Sequence, residues 1–221
     1  MQKIQRLVAV GAMVALSVAL SACGGAPSTE NPVPPPSSAT EVPATGDGMT
    51  TTTDTFGAAC AQLPQGTTPG SLNSMAKLPV ASAAGGNPEL SQLVTAVQGA
   101  GLVDTLNGQK DITVFAPYNA AFDEVKKSLG DAKYGQLLAN KDALGNVLKY
   151  HVVAKRYNRD GLVAAGSVAT LAGGSLQVKM DGDTMTVTDG SGQTAHVLCG
   201  NIPTANATVF VIDKVLMAQQ S

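Results

Sequence analysis

The sequence predicts an α+β domain behind a secretory leader and a polar arm, and three observations predict the domain. Leu90, Leu93, Val94 and Val97 repeat at helical spacing, and further helical patterns follow as far as Leu148. From Leu176 the period changes: Leu176, Val178 and Met180 alternate with polar residues, as do Met185 and Val187. Between them lies Thr113-Val-Phe-Ala-Pro-Tyr-Asn-Ala-Ala-Phe122, which commits a buried strand, a sharp corner and a helix start within ten residues. Helices massed early and a meander late make an α+β pattern.

Met1 to Ala22 reads as an export signal. Lys3 and Arg6 form its positive start, and Leu7 to Leu20 is an apolar run of 14 residues, shorter than the roughly 20 a membrane-spanning helix needs. The segment ends in Leu20-Ser21-Ala22-Cys23, similar to a bacterial lipobox, in which the cysteine is acylated and becomes the mature N-terminus. Two or more acyl chains hold a protein stably on a membrane where one does not. Cleavage leaves 12 basic against 16 acidic residues, a net charge of about −4 with no basic cluster. That balance argues against nucleic acid or an anionic lipid surface as the main partner.

Residues 23–55 are expected to form a disordered tether. The composition is Pro, Ser, Thr, Ala and Gly, with Pro34-Pro35-Pro36 and the run Thr50, Thr51, Thr52, Thr53. Such a segment buries too little apolar surface to offset its ordering entropy. Its typical span is roughly 30 Å, and its limit about 100 Å. The threonine run is a candidate O-glycosylation zone, with a bare polar linker as the alternative. Residues 56–221 are then one domain, with its core at about 72–217. Hydrophobic residues make up 44% of the chain, aromatics 4%, and tryptophan is absent, so aliphatic side chains must supply most of the packing.

Within that domain, Gly57 to Leu63 predicts a short helix, followed by helices at Pro79–Ala84 and Pro88–Val97. Each of the last two has proline near its first turn, where the missing N–H costs nothing. Leu102 to Leu106 predicts a further turn. In the ten-residue stretch Ile112, Val114 and Ala116 share one strand face, Pro117 ends the strand, and Asn119 is expected to cap a helix running to about Leu129. Further helices are expected at Tyr134–Leu138 and Lys141–Leu148. Strands are expected at Tyr150–Val153, Val168–Leu171, Leu176–Met180, Met185–Thr188, Thr194–Leu198 and Thr208–Ile212, with turns at Asp181-Gly-Asp183 and Asp189-Gly-Ser-Gly192. With Cys23 assigned to lipid, Cys60 and Cys199 remain in an oxidising compartment. A Cys60–Cys199 disulfide is expected, tying the first helical piece to a late strand; the rivals are two buried thiols or a metal shared with a histidine, for which their spacing is poor.

Three stretches carry a family resemblance: Thr113 to Phe122, Tyr150-His151-Val152-Val153, and Ala207-Thr-Val-Phe-Val-Ile-Asp-Lys-Val-Leu216. In this order and spacing they resemble the first box, the Tyr-His element and the second box of the fasciclin (FAS1) domain. The lipobox, the Pro/Thr arm, Cys60, Asp104-Thr-Leu-Asn-Gly108, Cys199 and Ala205-Asn-Ala-Thr-Val209 further resemble actinobacterial lipoproteins carrying a single FAS1 domain. The resemblance implies a wedge of two small β-sheets with helices packed along one side. It also implies a surface protein with an adhesion or host-contact role. The family's first box has Thr or Ser where this chain has Tyr118, which leaves a phenol at that corner for a partner or ligand.

Candidate sites each have a plain alternative. His151 is the best-placed histidine for catalysis, yet a histidine between Tyr150 and two valines reads as a hydrogen-bonded core residue bracing the Pro117 corner. Asn140-Lys-Asp142-Ala-Leu144 resembles a short adhesion segment of some animal FAS1 domains; otherwise Asn140 is a helix cap and Asp142 a favourable first-turn charge. Asp181, Asp183 and Asp189 lack the calcium-loop spacing and read as turn residues. Asn206-Ala-Thr208 matches a glycosylation acceptor but reads as a strand start. Nucleophile elbow, phosphate loop and dinucleotide fingerprint are missing from the sequence, so neither an enzyme, a cofactor nor a metal is expected. The expectation is an exported, lipid-anchored envelope protein with a non-catalytic adhesion module. The alternatives are a carrier holding an envelope lipid or polyketide in an apolar cleft, and a structural envelope component.

Overall fold

The computed structural model describes residues 48–218. The leader, Cys23 and the arm up to residue 47 lie outside the described residues. In chain order the elements are α1 (Leu72–Met75), α2 (Val80–Gly85), α3 (Ser91–Gly99), α4 (Val103–Gly108), β1 (Ile112–Pro117), α5 (Asn119–Leu129), α6 (Asp131–Ala139), α7 (Lys141–Tyr150), β2 (Val152–Val153), α8 (Arg159–Ala165), β3 (Ser167–Ala169), β4 (Ser175–Asp181), β5 (Thr184–Thr188), β6 (Thr194–Pro203) and β7 (Ala207–Ile212). Short 3₁₀ turns occupy Ala58–Gln62 and Pro88–Leu90.

The strands form one ladder in the order β2-β1-β7-β6-β5-β4-β3. β1 and β7 are parallel, and every other pair is antiparallel. β6 is the shared strand: Thr194 to His196 pair with β5, and Val197 to Pro203 pair with β7 through two register breaks. Such breaks bend a strand and increase its twist, so the ladder behaves as two small sheets joined through β6. A bridge from Val153 to Thr170, just beyond β3, brings the ends together and nearly closes it. This is the expected α+β wedge.

Strand alternation separates two cores. Ile112, Val114 and Ala116 of β1, with Ala207, Val209 and Val211 of β7, pack against the helices. Phe115, Phe210 and Ile212 face the other way and pack with Leu176, Met185, Val187 and Tyr150 under the meander. Phe210 is fully buried, with its ring centroid 5.7 Å from Phe115 and 6.2 Å from Phe56.

Several expectations are corrected. Tyr150 ends α7 instead of opening a strand; only Val152 and Val153 pair with β1. Pro88 to Val97 is not one helix, because Leu90 (φ −109°, ψ 12°) separates the 3₁₀ turn from α3. β3 spans Ser167–Ala169, not Val168–Leu171, and α1 and α8 were not anticipated.

The expected disordered tether also ends earlier than Thr55. The Thr208 hydroxyl donates to the Gly48 carbonyl (2.9 Å), Asn201 Nδ2 to the Asp54 carbonyl (3.1 Å), and Phe56 pairs with Gly200. Gly48 is buried at φ +72°, and a Cβ there would meet the Arg156 carbonyl. Residues 48–55 thus form a strap on the domain, ordered by partners on β6 and β7 and not by their own composition. The strap leads to the Cys60–Cys199 disulfide, Cα–Cα 4.9 Å, which joins the first 3₁₀ turn to β6.

Candidate functional site

The Pro117 corner turns the chain from β1 into α5, and its polar side chains serve inward. Asn119 does not cap α5, where Tyr118 occupies the cap position without a side-chain bond. Its Oδ1 accepts from the Gln92 N–H (3.0 Å) and the Ser91 hydroxyl (3.2 Å), and its Nδ2 donates to the Pro88 carbonyl (2.9 Å). Asn119 therefore caps α3, 27 residues away in sequence. Asn206 does the same for α2, accepting from the Val80 N–H (2.8 Å) while donating to the Leu106 and Gln109 carbonyls (2.8 Å each) at the end of α4. Its side chain is committed to backbone groups of α2 and of the end of α4, which explains its place before β7 without a glycan.

His151 sits in the turn between α7 and β2 and is 2% exposed. Nδ1 lies 2.8 Å from the Val147 carbonyl, which can only accept, so Nδ1 carries the proton. Nε2 then accepts from the Leu216 N–H at 2.9 Å. Burial pushes the ring's pKa down to about 4, against the opposing pull of the Val147 carbonyl and of Asp189. A neutral ring with both nitrogens occupied is a structural brace. His151 lines the same small void as Pro117, and the bonds of its ring go to Val147 and Leu216. Its neighbour Tyr150 instead braces the meander: the phenol donates to the Ser175 carbonyl (3.3 Å) and accepts from the Gly190 N–H (2.9 Å).

The other candidates are dispersed. His196 is half-exposed and pairs with Asp213, Nδ1 to Oδ2 at 2.9 Å, while its N–H donates to Oδ1 at 2.7 Å. It lines a different concavity from His151, so the two histidines are not brought together. Asn140 caps α7 by accepting from the Ala143 N–H (3.1 Å), and Asp142 is exposed in the first turn. Asp189 is buried: Oδ1 accepts from Ser191 N, Ser191 Oγ and Gln193 N, and Oδ2 from Met217 N. Turn chemistry was the expectation for it; the clamp on Met217 was missed, since nothing local in the sequence marks it. Among the described residues no three His, Cys, Asp or Glu side chains converge as a metal would require. Of the threonine run, Thr51 and Thr53 are exposed with hydroxyls 2.8 Å apart, whereas the Thr50 hydroxyl is buried and unbonded.

Two concavities remain. An open groove of about 670 Å³ runs past Tyr118, Phe56, Leu63, Leu90, Glu89 and His196. Tyr118 is half-buried there, its ring packed on the helical-side core. The second is a cavity of about 270 Å³ under α2, α3 and α4, floored by Val114, Leu148, His151 and Val152. Its walls are almost wholly aliphatic, with exposed Ser82 and Gln98 at the edge. A dry, sealed void of that size would cost about 6 kcal/mol at ~24 cal/mol per Å³; this one opens to the surface.

The chain's likenesses agree with this architecture. It is 37% identical over 219 residues to the cell surface glycolipoproteins MPB83 of Mycobacterium bovis and MPT83 of Mycobacterium tuberculosis, covering 95% of this chain and 94% of each relative. It is 41% identical over 171 residues to the immunogenic protein MPB70 of M. bovis, covering 74% of this chain and 82% of that one. Among solved structures, a FAS1 domain pair from the insect cell adhesion molecule fasciclin I superposes with a TM-score of 0.56 at 18% identity. That match covers 63% of this chain and spans about half (51%) of the paired-domain chain, and it bears on the fold alone. The fasciclin domain model matches residues 88–218, more than half of the sequence. The chain belongs to the fasciclin (FAS1) domain family.

Proposed function

We propose that the chain is an exported cell-envelope protein, anchored by acylation at Cys23, whose FAS1 domain is a non-catalytic adhesion or interaction module. The observation that carries this reading is the 37% identity to cell surface glycolipoproteins over 95% of the chain, a span that takes in the leader and tether. The geometry supports it by subtraction: the best-placed histidine is neutral, buried and fully hydrogen-bonded. Of the residues in the family motifs, Asn119, Tyr150 and His151 are committed to internal bonds. Tyr118, facing the open groove, and Asp142, exposed on α7, are left to meet a partner. Within the threonine run, Thr51 and Thr53 are the candidate glycan carriers of this reading because they are exposed; the Thr51 hydroxyl also donates to Asp54 Oδ2 (2.7 Å).

The test is surface display of the full chain in its own host, with adhesion to immobilised matrix protein, glycan and host cells. Cys23→Ala should release the protein from the membrane fraction. Tyr118→Ala and Asp142→Ala should weaken adhesion by about tenfold together without lowering surface abundance. Absence of any binding at micromolar concentration would sink the adhesion reading.

A further inference from the structure

We infer that the cavity under α2, α3 and α4 is a binding site for one aliphatic chain of about ten carbons, the tail of an amphiphile whose polar end stays at the Ser82–Gln98 edge. This inference is independent of the adhesion reading, since it concerns a different concavity and different residues.

Size comes first. Protein interiors leave few voids larger than a water molecule. An engineered cavity of about 150 Å³ with aliphatic and aromatic walls takes benzene. The present volume of about 270 Å³ approaches twice that, room for about ten to twelve carbon atoms. Chemistry comes next. Val80, Leu93, Val97, Leu106, Val114 and Leu148 offer only methyl and methylene surface. The one ionisable group at the floor, His151, has its Nδ1 proton on the Val147 carbonyl and its Nε2 lone pair on the Leu216 N–H. A hydroxyl or charge pushed to that depth would lose its water and find no partner, a cost that excludes polar ligands. At the exposed edge Ser82 and Gln98 provide polar contacts, so one end of the ligand is wet.

The cavity is also held open by bonds that owe nothing to its contents. α2 and α4 are six residues each, too short to be stable alone. Asn206 ties the Val80 N–H of α2 to the Leu106 and Gln109 carbonyls of α4. Asn107 reinforces the tie, accepting from the Ala81 N–H (3.0 Å) and donating to the Ser82 hydroxyl (3.2 Å). Two walls fixed from outside cannot collapse onto an empty interior, and a preformed apolar site binds without an ordering cost.

The experiment uses the full chain carrying Cys23→Ser, which has no acyl group of its own. 1-Aminoanthracene fluorescence reports uptake, and decan-1-ol is the displacing chain. Micromolar displacement is expected, with decane-1,10-diol at least tenfold weaker because it must bury a hydroxyl. Gly85→Leu adds a side chain at the cavity wall where a Cβ meets nothing within 4 Å, and Val94→Trp fills the cavity from α3. Each should weaken binding at least tenfold with melting temperature held within a few degrees. No uptake of either molecule, or uptake indifferent to both variants in folded protein, overturns the inference. Phosphatidylethanolamine vesicles containing a fluorescent decanoyl phospholipid then separate the sources. Transfer blocked by Gly85→Leu identifies a membrane-lipid tail as the ligand, and decanol binding without transfer identifies a free chain. Either outcome supports the site.

Discussion

The two faces of the β1–β7 pair are built from different materials. The meander side buries Phe115, Phe210, Tyr150, Met185 and Leu176 completely. The helical side is mostly valine, leucine and alanine, with Met75, Phe122 and two isoleucines, and both the 270 Å³ cavity and a smaller void of about 30 Å³ lie on it. What the helical side lacks in packing it replaces with directional bonds: a disulfide and asparagine side chains that cap helices distant in sequence. One face is held by area and the other by staples, so the two should respond differently to the same insult.

The disulfide gives the largest expected effect. Closing 139 residues of separation is worth up to about 5 kcal/mol in the chain-entropy model. Cys60→Ser with Cys199→Ser should approach that loss in urea denaturation. Hydrogen exchange should show the strap and α1 to α3 losing protection before β4 and β5. Uniform loss across both faces would mean that the two faces are held in the same way. Phe210→Ala comes next, at about 4 kcal/mol, the range for removing a buried phenylalanine. Its loss should be global, because the ring meets Phe56, the residue that follows the strap, and Phe115 in the meander core.

His151 sharpens the comparison through pH. It stands where the two cores meet the C-terminal segment, gripping Leu216 while Asp189 grips Met217. The unfolded ring protonates near pH 6.5 and the folded ring only near 4, so between those values the unfolded state holds the extra proton. Stability is therefore full above pH 6.5 and falls as pH drops towards 4, by about 3 kcal/mol at ~1.4 kcal/mol per unit. His151→Gln should be less stable at neutral pH and should lack this part of the acid slope. An unchanged slope would show that the ring is accessible to protons in the folded state.

Local signals in the sequence made the frame legible. Strand, proline corner and helix are adjacent in Thr113–Phe122, and alternation in β4 and β5 is a period-two pattern that any reading finds. The resemblance of the boxes added the wedge. Less visible was whatever depends on a partner far along the chain. Asn119 looks like a cap for the helix it begins, and only the fold shows it capping α3. The strap 48–55 has a disordered composition and is ordered by the Thr208 hydroxyl and the Asn201 side chain. The cavity is a property of helix placement, and no residue type marks empty space. α8 had a usable signal that went unread: Asn158 accepts from Gly161 N at its start, and Gly166 sits at φ +63° at its end.

The asparagines turn that difference into the two smallest predictions. Asn206→Ala leaves the Val80 N–H and the Leu106 and Gln109 carbonyls without their side-chain partner in a half-buried site. The expected loss is about 2 kcal/mol, typical of buried groups left unsatisfied. It should be accompanied by loss of the decanol site, because the tie between α2 and α4 goes with it. Asn140→Ala removes an exposed, local cap from α7, where only the Ala143 N–H is lost and water can replace the acceptor. About 1 kcal/mol is expected there, the usual value for a helix cap, with hydrogen exchange changed only in the first turn of α7. If the two variants cost the same and both leave ligand uptake intact, the long-range asparagine is merely a cap. The helical side would then be held by its aliphatic packing like the other face.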